Sequence, residues 1–443
     1  MSLREFTQMT IGLLFLITPQ VAAAQAPTGI GSNIPILASG TVAPVVPVEE
    51  EMPANVFQGS VTVSGSYDDN VFAGSSPRIW DVDYTAAPAI TFQETRPRLD
   101  FSLTYSPALE ISQRLLYRDV FAQKFAGTVV WLVSPHGTLS AQQYYDVTIN
   151  PFAGTSVTNE PGPLIAPNET IYIPDIRQSV ILSHALYSYQ SSARTIMGVG
   201  GSYQSQKFDS TPESGPTTSL IYAQIATGEA YIAKQLTARN QLGFQYGLQV
   251  LKFPQADART TTHSFLVFDQ MNLSSRTNLT LYGGPEYSLT ANQVVLNLGF
   301  VLITIPVTAN TWSGAGGVIY NWTGDHLAAA VNFSRRVSSG GQLVGAVELT
   351  SGSATLNWML TRSWSLTSTI AGSNEQLLGG SSAEQLTTYS GRFGVRRRLG
   401  RDLGINWYYE RLNQTGSIGN FLVGNRDIAG VSLEYGFMRP VGR

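Results

Sequence analysis

The stretch Leu242-Gly-Phe-Gln-Tyr-Gly-Leu-Gln-Val250 alternates between apolar and small or polar residues. A period of two is the pattern of a β-strand with one apolar face, because successive side chains point to opposite faces of a sheet. The same alternation recurs at Leu99–Ser106, at Leu327–Ser334 and at Val431–Phe437. The chain is therefore predicted to be built mainly from long amphipathic strands.

A short polar turn, often with an arginine, joins these strands in pairs. Its clearest copies are Leu236-Thr-Ala-Arg-Asn-Gln-Leu242 and Leu273-Ser-Ser-Arg-Thr-Asn-Leu279, and looser copies span 360–366 and 399–405. Weaker turns lie near 94–98, 134–137, 190–193 and 323–325. Eight hairpins give sixteen strands, and a first strand at 57–67 and a last at 427–438 make eighteen, with sixteen as the alternative count.

The composition is unusual for a water-soluble domain. Only 13% of residues are charged, against roughly 25% in typical soluble domains. Apolar residues make up 43%, and the mean hydropathy is +0.01. A closed barrel in lipid reconciles these values, because it needs an apolar outer belt and a neutral polar inner wall. The predicted fold is all-β, a transmembrane up-and-down antiparallel β-barrel.

Three domains are predicted along the chain. Arg4, the apolar run 11–17 and Ala22-Ala-Ala24 form a secretory signal peptide over residues 1–24, cleaved before Gln25. Residues 25–56, rich in proline and carrying three consecutive glutamates, form a disordered periplasmic tail. The barrel occupies 57–443. No apolar run beyond the signal approaches the length of a transmembrane helix, so a membrane would be crossed by a closed barrel.

The segment 291–309 is too apolar for a solvated loop. Two interpretations remain open from the sequence. The segment either folds into the lumen or extends two strands above the membrane.

Candidate lumen residues follow from the alternation, because the apolar set faces lipid and the other set faces inward. In the hairpin centred on Arg401, the inward set includes Arg392, Arg396 and Glu410, and the register places Arg392 opposite Glu410. Glu434 lies on the next strand. Such charges either steady the barrel wall or select solutes. Further inward candidates are Gln245, Gln249 and Glu286.

Aromatic residues make up 10% of the chain and recur near strand ends. Interfacial girdles use tryptophan and tyrosine in this way. Aromatic side chains that face inward could instead stack on sugar rings in a conduit for sugars.

The first strand ends in Ser66-Tyr-Asp-Asp-Asn-Val-Phe72. This motif has two interpretations, a structural cap on the strand and a divalent-cation site made by Asp68, Asp69 and Asn70. Together with the Leu-Ser-Ser-Arg-Thr turn at 273–277, the motif resembles the type 2 family of outer-membrane β-barrel porins associated with exopolysaccharide loci. The resemblance covers residue 57 to the end and implies a passive pore or an export conduit linked to surface polysaccharide.

No catalytic or cofactor motif stands out. The chain has no cysteine and four scattered histidines, and it lacks G-x-S-x-G, H-E-x-x-H and phosphate-loop patterns. A net charge of −3 argues against nucleic-acid binding. We expect no enzyme activity and no cofactor. Expected partners are outer-membrane lipids, the barrel assembly machinery and polysaccharide or small solutes, with no prediction of oligomeric state. The alternatives are a closed structural or adhesive barrel with ligand-binding loops, and a lipid-modifying barrel enzyme.

Overall fold

The computed structural model describes residues 55–71, 78–148, 177–209, 222–297, 302–338, 346–378, 385–416 and 424–440. Within these ranges the chain forms eighteen β-strands and one 3₁₀ turn, Leu116–Arg118. The strands are β1 Asn55–Asp68, β2 Asp81–Arg96, β3 Leu99–Ser112, β4 Val120–Ser134, β5 Gly137–Thr148, β6 Arg177–Ser192, β7 Thr195–Asp209, β8 Ala223–Thr237, β9 Asn240–Phe253, β10 Ala258–Ser274, β11 Thr277–Asn297, β12 Leu302–Thr323, β13 Leu327–Ser338, β14 Val347–Met359, β15 Trp364–Leu377, β16 Gln385–Arg398, β17 Leu403–Gly416 and β18 Gly424–Pro440.

The strands form one closed antiparallel sheet. Each strand pairs with its neighbours in the sequence, and β1 pairs with both β2 and β18. Closure removes the unpaired sheet edges that could not exist in lipid. The predicted fold class and the count of eighteen are confirmed, and all eight predicted turns join consecutive strands. Among the described residues, no helix is long and apolar enough to cross a membrane.

The outer wall is apolar and solvent-exposed. On β1, Val61 and Val63 are exposed, whereas Thr62 and Ser64 between them are buried. On β9, Leu242 and Phe244 are exposed on the outer face, whereas Gln241 and Gln245 on either side of them are buried on the inner face. Exposed large side chains on so many strands would make a soluble surface prone to aggregation. A lipid environment covers this belt.

The motif after β1 fastens the seam between the first and last strands. Arg426 Nε donates to Asp68 Oδ2 at 2.7 Å, and Arg426 Nη2 donates to the same oxygen. The Asp427 N–H donates to Asp69 Oδ1 at 2.7 Å, and the Asn70 N–H donates to Asp68 Oδ1 at 3.1 Å. We call these five residues the seam cluster. These contacts are those of a structural cap. The guanidinium of Arg426 occupies the position at Asp68 that a divalent cation would take.

The segment 291–309 supplies the ends of two long strands. β11 and β12 remain paired from Ala291↔Thr308 to Asn297↔Leu302, whereas β10 pairs with β11 only as far as Ala291. The hairpin therefore extends beyond its neighbours, as the second interpretation of this segment proposed. Residues 298–301 lie outside the described ranges.

The predicted signal peptide and most of the predicted tail lie outside the described residues. The first strand begins at Asn55, two residues before the predicted start of the barrel. Cleavage after Ala24 stays a prediction.

Candidate functional site

The inner face of the barrel is polar, and three of its buried polar side chains lie together on β6, β8 and β9. Glu229 Oε2 accepts a hydrogen bond from Gln245 Nε2 at 2.8 Å, and Glu229 Oε1 lies 3.5 Å from His184 Nε2. All three side chains are buried, and Gln245 is 0% exposed. Gln245 was predicted to line the lumen, whereas Glu229 and the pairing of His184 were missed. The alternation along β8 could have identified Glu229 as a lumen residue. Glu229 lies two residues from Tyr231 and therefore on the same, inward face of the strand.

Glu286 lies near this group, on the inner face of β11. Its Oε2 accepts hydrogen bonds from the Val337 N–H at 3.2 Å and from Ser313 Oγ at 3.5 Å. A small cavity of about 20 Å³, roughly the space of one water molecule, adjoins it and is lined in part by Glu229, Gln249, Glu286 and Arg336. The predicted residues Gln245, Gln249 and Glu286 are thus brought to one region of the inner wall.

The other predicted residues lie apart from this cavity, on β16 to β18. Arg392 is opposite Glu410 and Arg396 is opposite Asn406, as the turn at Arg401 predicted. Arg396 Nη2 forms an ion pair with Glu434 Oε2 at 3.0 Å. The guanidinium of Arg392 lies over the ring of Tyr408, 5.4 Å from its centroid. These side chains form a charged ladder on the inner face.

An apolar cluster narrows the lumen near the strand ends that lie opposite the short turns. Ala223, Ile225, Leu251, Phe253 and Ala258 come from the inner faces of β8, β9 and β10. Val337, near the end of β13, and Ala346, just before β14, pack against them. We call these seven residues the constriction.

The constriction forms because β13 leaves the wall. β12 pairs with β13 only from Thr323↔Ala328 to Gly316↔Arg335. Beyond Arg335 both faces of β13 are buried, with Val337 on one face and Ser338 on the other. Alternation along β13 places Val337 on the outward side with the exposed Phe333, yet Val337 is only 1% exposed. The end of β13 therefore lies inside the barrel, with its nominal outer face against β8–β10.

A closed sheet with an even number of strands, an apolar outer belt and a polar inner face is the architecture by which β-proteins cross outer membranes. The chain is an outer-membrane β-barrel. Short turns of such barrels face the periplasm, so the constriction lies toward the extracellular side.

No family model matches the sequence, and no curated protein is significantly similar to it. Among solved structures, the chain is similar to the ferric citrate transporter FecA in its unliganded form, with 10% identity, a TM-score of 0.44, and 85% of this chain and 63% of that chain covered. It thus spans less than two thirds of FecA. It is also similar to OccK2 (OpdF) of Pseudomonas aeruginosa, with 8% identity, a TM-score of 0.40, and 86% and 98% covered. For OccAB4 of Acinetobacter baumannii the identity is 8%, the TM-score 0.43, and the coverage 88% and 99%.

Proposed function

We propose that this barrel is a passive pore for small polar solutes, narrowed near its outer end by the constriction. The observation that carries the proposal is the polar inner wall, where Glu229, Gln249 and Glu286 border a small cavity. A barrel that served only as a scaffold would gain more stability from an apolar interior than from buried carboxylates. Eighteen strands also exceed the eight whose interior side chains alone can fill.

In this proposal, solute selection belongs to the two charged regions. Glu229 and Glu286 would attract or repel ions beside the cavity. The ladder of Arg392, Arg396 and Glu434 would do so along β16 to β18. A conduit for surface polysaccharide is the finer form of the proposal, and its support is the resemblance of the Tyr67–Phe72 motif and the arginine turns.

The constriction favours a second candidate, a closed structural or adhesive barrel. Phe253 and Val337 belong to one buried apolar cluster that joins the end of β13 to the wall strands β8 to β10. In that case the longer loops would carry the function, and the inner wall would carry no current.

Conductance of the refolded protein in planar lipid bilayers separates the two candidates. We expect steady channels from the wild type and a larger conductance from Phe253→Ala, because the truncation widens the constriction. Phe265→Ala is the matched control, since Phe265 is exposed on the outer face of the next strand. Silence from both the wild type and Phe253→Ala, with folding verified by gel mobility, would contradict the pore. Block of the current by long but not short sugar oligomers would support the polysaccharide conduit.

A further inference from the structure

The short turns at the periplasmic end present arginines in a repeated local structure. The backbone N–H groups of Arg194, Arg239 and Arg276 each donate to the hydroxyl of the Ser or Thr two residues earlier, at 3.3, 3.2 and 3.1 Å. The carbonyl of each arginine accepts an N–H from the neighbouring hairpin, at 2.7 to 2.8 Å. The backbone of each turn is therefore fixed, and the guanidinium group is left at the rim.

These arginines belong to a larger basic ring. Eight exposed arginines lie in or beside the short turns, and we call them the arginine rim: Arg96, Arg194, Arg239, Arg276, Arg362, Arg397, Arg398 and Arg401. Within the described residues, three exposed carboxylates lie at the same end, Asp100, Asp325 and Asp402. Arg276 forms an ion pair with Asp325 at 2.9 Å, and Arg96 forms one with the half-buried Glu94. Exposed arginines at the rim therefore outnumber exposed carboxylates by eight to three within the described residues.

Three exposed arginines near the opposite end form ion pairs with acids. Arg78 pairs with Asp69 at 2.9 Å, Arg335 with Glu348 at 2.5 Å and Arg411 with Asp427 at 3.7 Å. These three arginines are therefore a matched set away from the rim.

An aromatic belt lies at the level of the rim. Trp131, Trp358 and Trp407 are exposed on the outer face close to the short turns. Trp364 stacks with Trp407, with 6.2 Å between ring centroids, and Arg397 lies 5.2 Å from the Trp364 ring centroid. Tryptophan at the end of a membrane-spanning strand marks the depth of the lipid headgroups. The rim guanidinium groups therefore lie beside phosphates of the periplasmic leaflet.

We propose that the arginine rim binds anionic phospholipids of the periplasmic leaflet through their headgroup phosphates. A guanidinium group donates two parallel hydrogen bonds to a phosphate, which a point charge cannot do. Each basic residue near an anionic surface strengthens binding roughly fivefold. Several arginines spaced by the hairpins would hold a shell of such lipids around the barrel.

Native mass spectrometry of the full barrel tests the proposal, with phosphatidylglycerol and zwitterionic phosphatidylethanolamine as competing probes. The rim variant is R194Q/R239Q/R362Q, and the control is R78Q/R335Q/R411Q at the opposite end. Heat-dependent gel mobility verifies that both variants fold. We expect the wild type and the control to retain phosphatidylglycerol preferentially, and the rim variant to lose on the order of 100-fold in relative affinity.

Two outcomes would overturn the proposal. One is equal retention of phosphatidylglycerol by the rim variant and the wild type. The other is displacement of the lipid by a soluble acidic oligosaccharide at lower concentration, which would assign the rim to a periplasmic polymer. The test does not depend on whether the barrel conducts.

Discussion

The seam cluster yields a quantitative prediction about barrel closure. Arg426→Met removes the cation and leaves the Asp68 carboxylate, which is 1% exposed, buried without its main partner. Breaking one side of a buried ion pair costs about 3–5 kcal/mol, because the remaining charge is no longer compensated. Arg78→Met is the control, since the Arg78 side chain is 51% exposed and its pair with Asp69 should contribute at most about 1 kcal/mol.

The assay is equilibrium unfolding in urea of barrels refolded into lipid vesicles, followed by gel mobility and tryptophan fluorescence. The double variant Asp68→Asn with Arg426→Met should recover most of the lost stability, because it removes the buried charge as well. A loss for Arg426→Met no greater than that for Arg78→Met would refute the argument that this pair fastens the seam.

Single substitutions on the inner wall and at two strand glycines test the fold and the proposed selection of solutes. Glu229→Gln should shift the reversal potential in a salt gradient away from cation preference, while Asp325→Asn, in the exposed turn between β12 and β13, should leave it unchanged; equal shifts would exclude Glu229 as a selecting charge. Gly284→Ala places a Cβ 1.9 Å from the carbonyl oxygen of Phe265 and should lower the free energy of unfolding by roughly 1–3 kcal/mol. Gly314→Ala, with open space around its Cβ, should change it by less than about 0.5 kcal/mol in the same urea assay.

The fold could be predicted from the sequence because its rules are local. Alternation identifies strands, and a short turn fixes the register of the hairpin that it closes. The turn at Arg401 therefore gave the pairing of Arg392 with Glu410 without any structure. The same alternation indicates which polar residues face the inner wall.

The parts that the sequence did not reveal depend on contacts between distant segments. Val337 lies on the outward side of β13 by alternation, and its burial follows from the point at which β12 stops pairing with β13. The Asp68 motif left two interpretations open because its partner Arg426 lies 358 residues away. His184 and Glu229 lie on β6 and β8, in different hairpins, 45 residues apart in the sequence. The pattern within either strand therefore does not indicate that the two side chains meet.

Closure between the first and last strands sets an order of events during folding. Every other strand pair joins near neighbours along the chain, whereas β1 must wait for β18, which is made last. Such a long-range pairing forms slowly, because most of the chain must be ordered before it contributes. A chain that stops before β18 would leave two open strand edges in place of a smaller barrel. The cell must therefore keep the nearly complete chain from aggregating until the seventeen residues of its last strand are available.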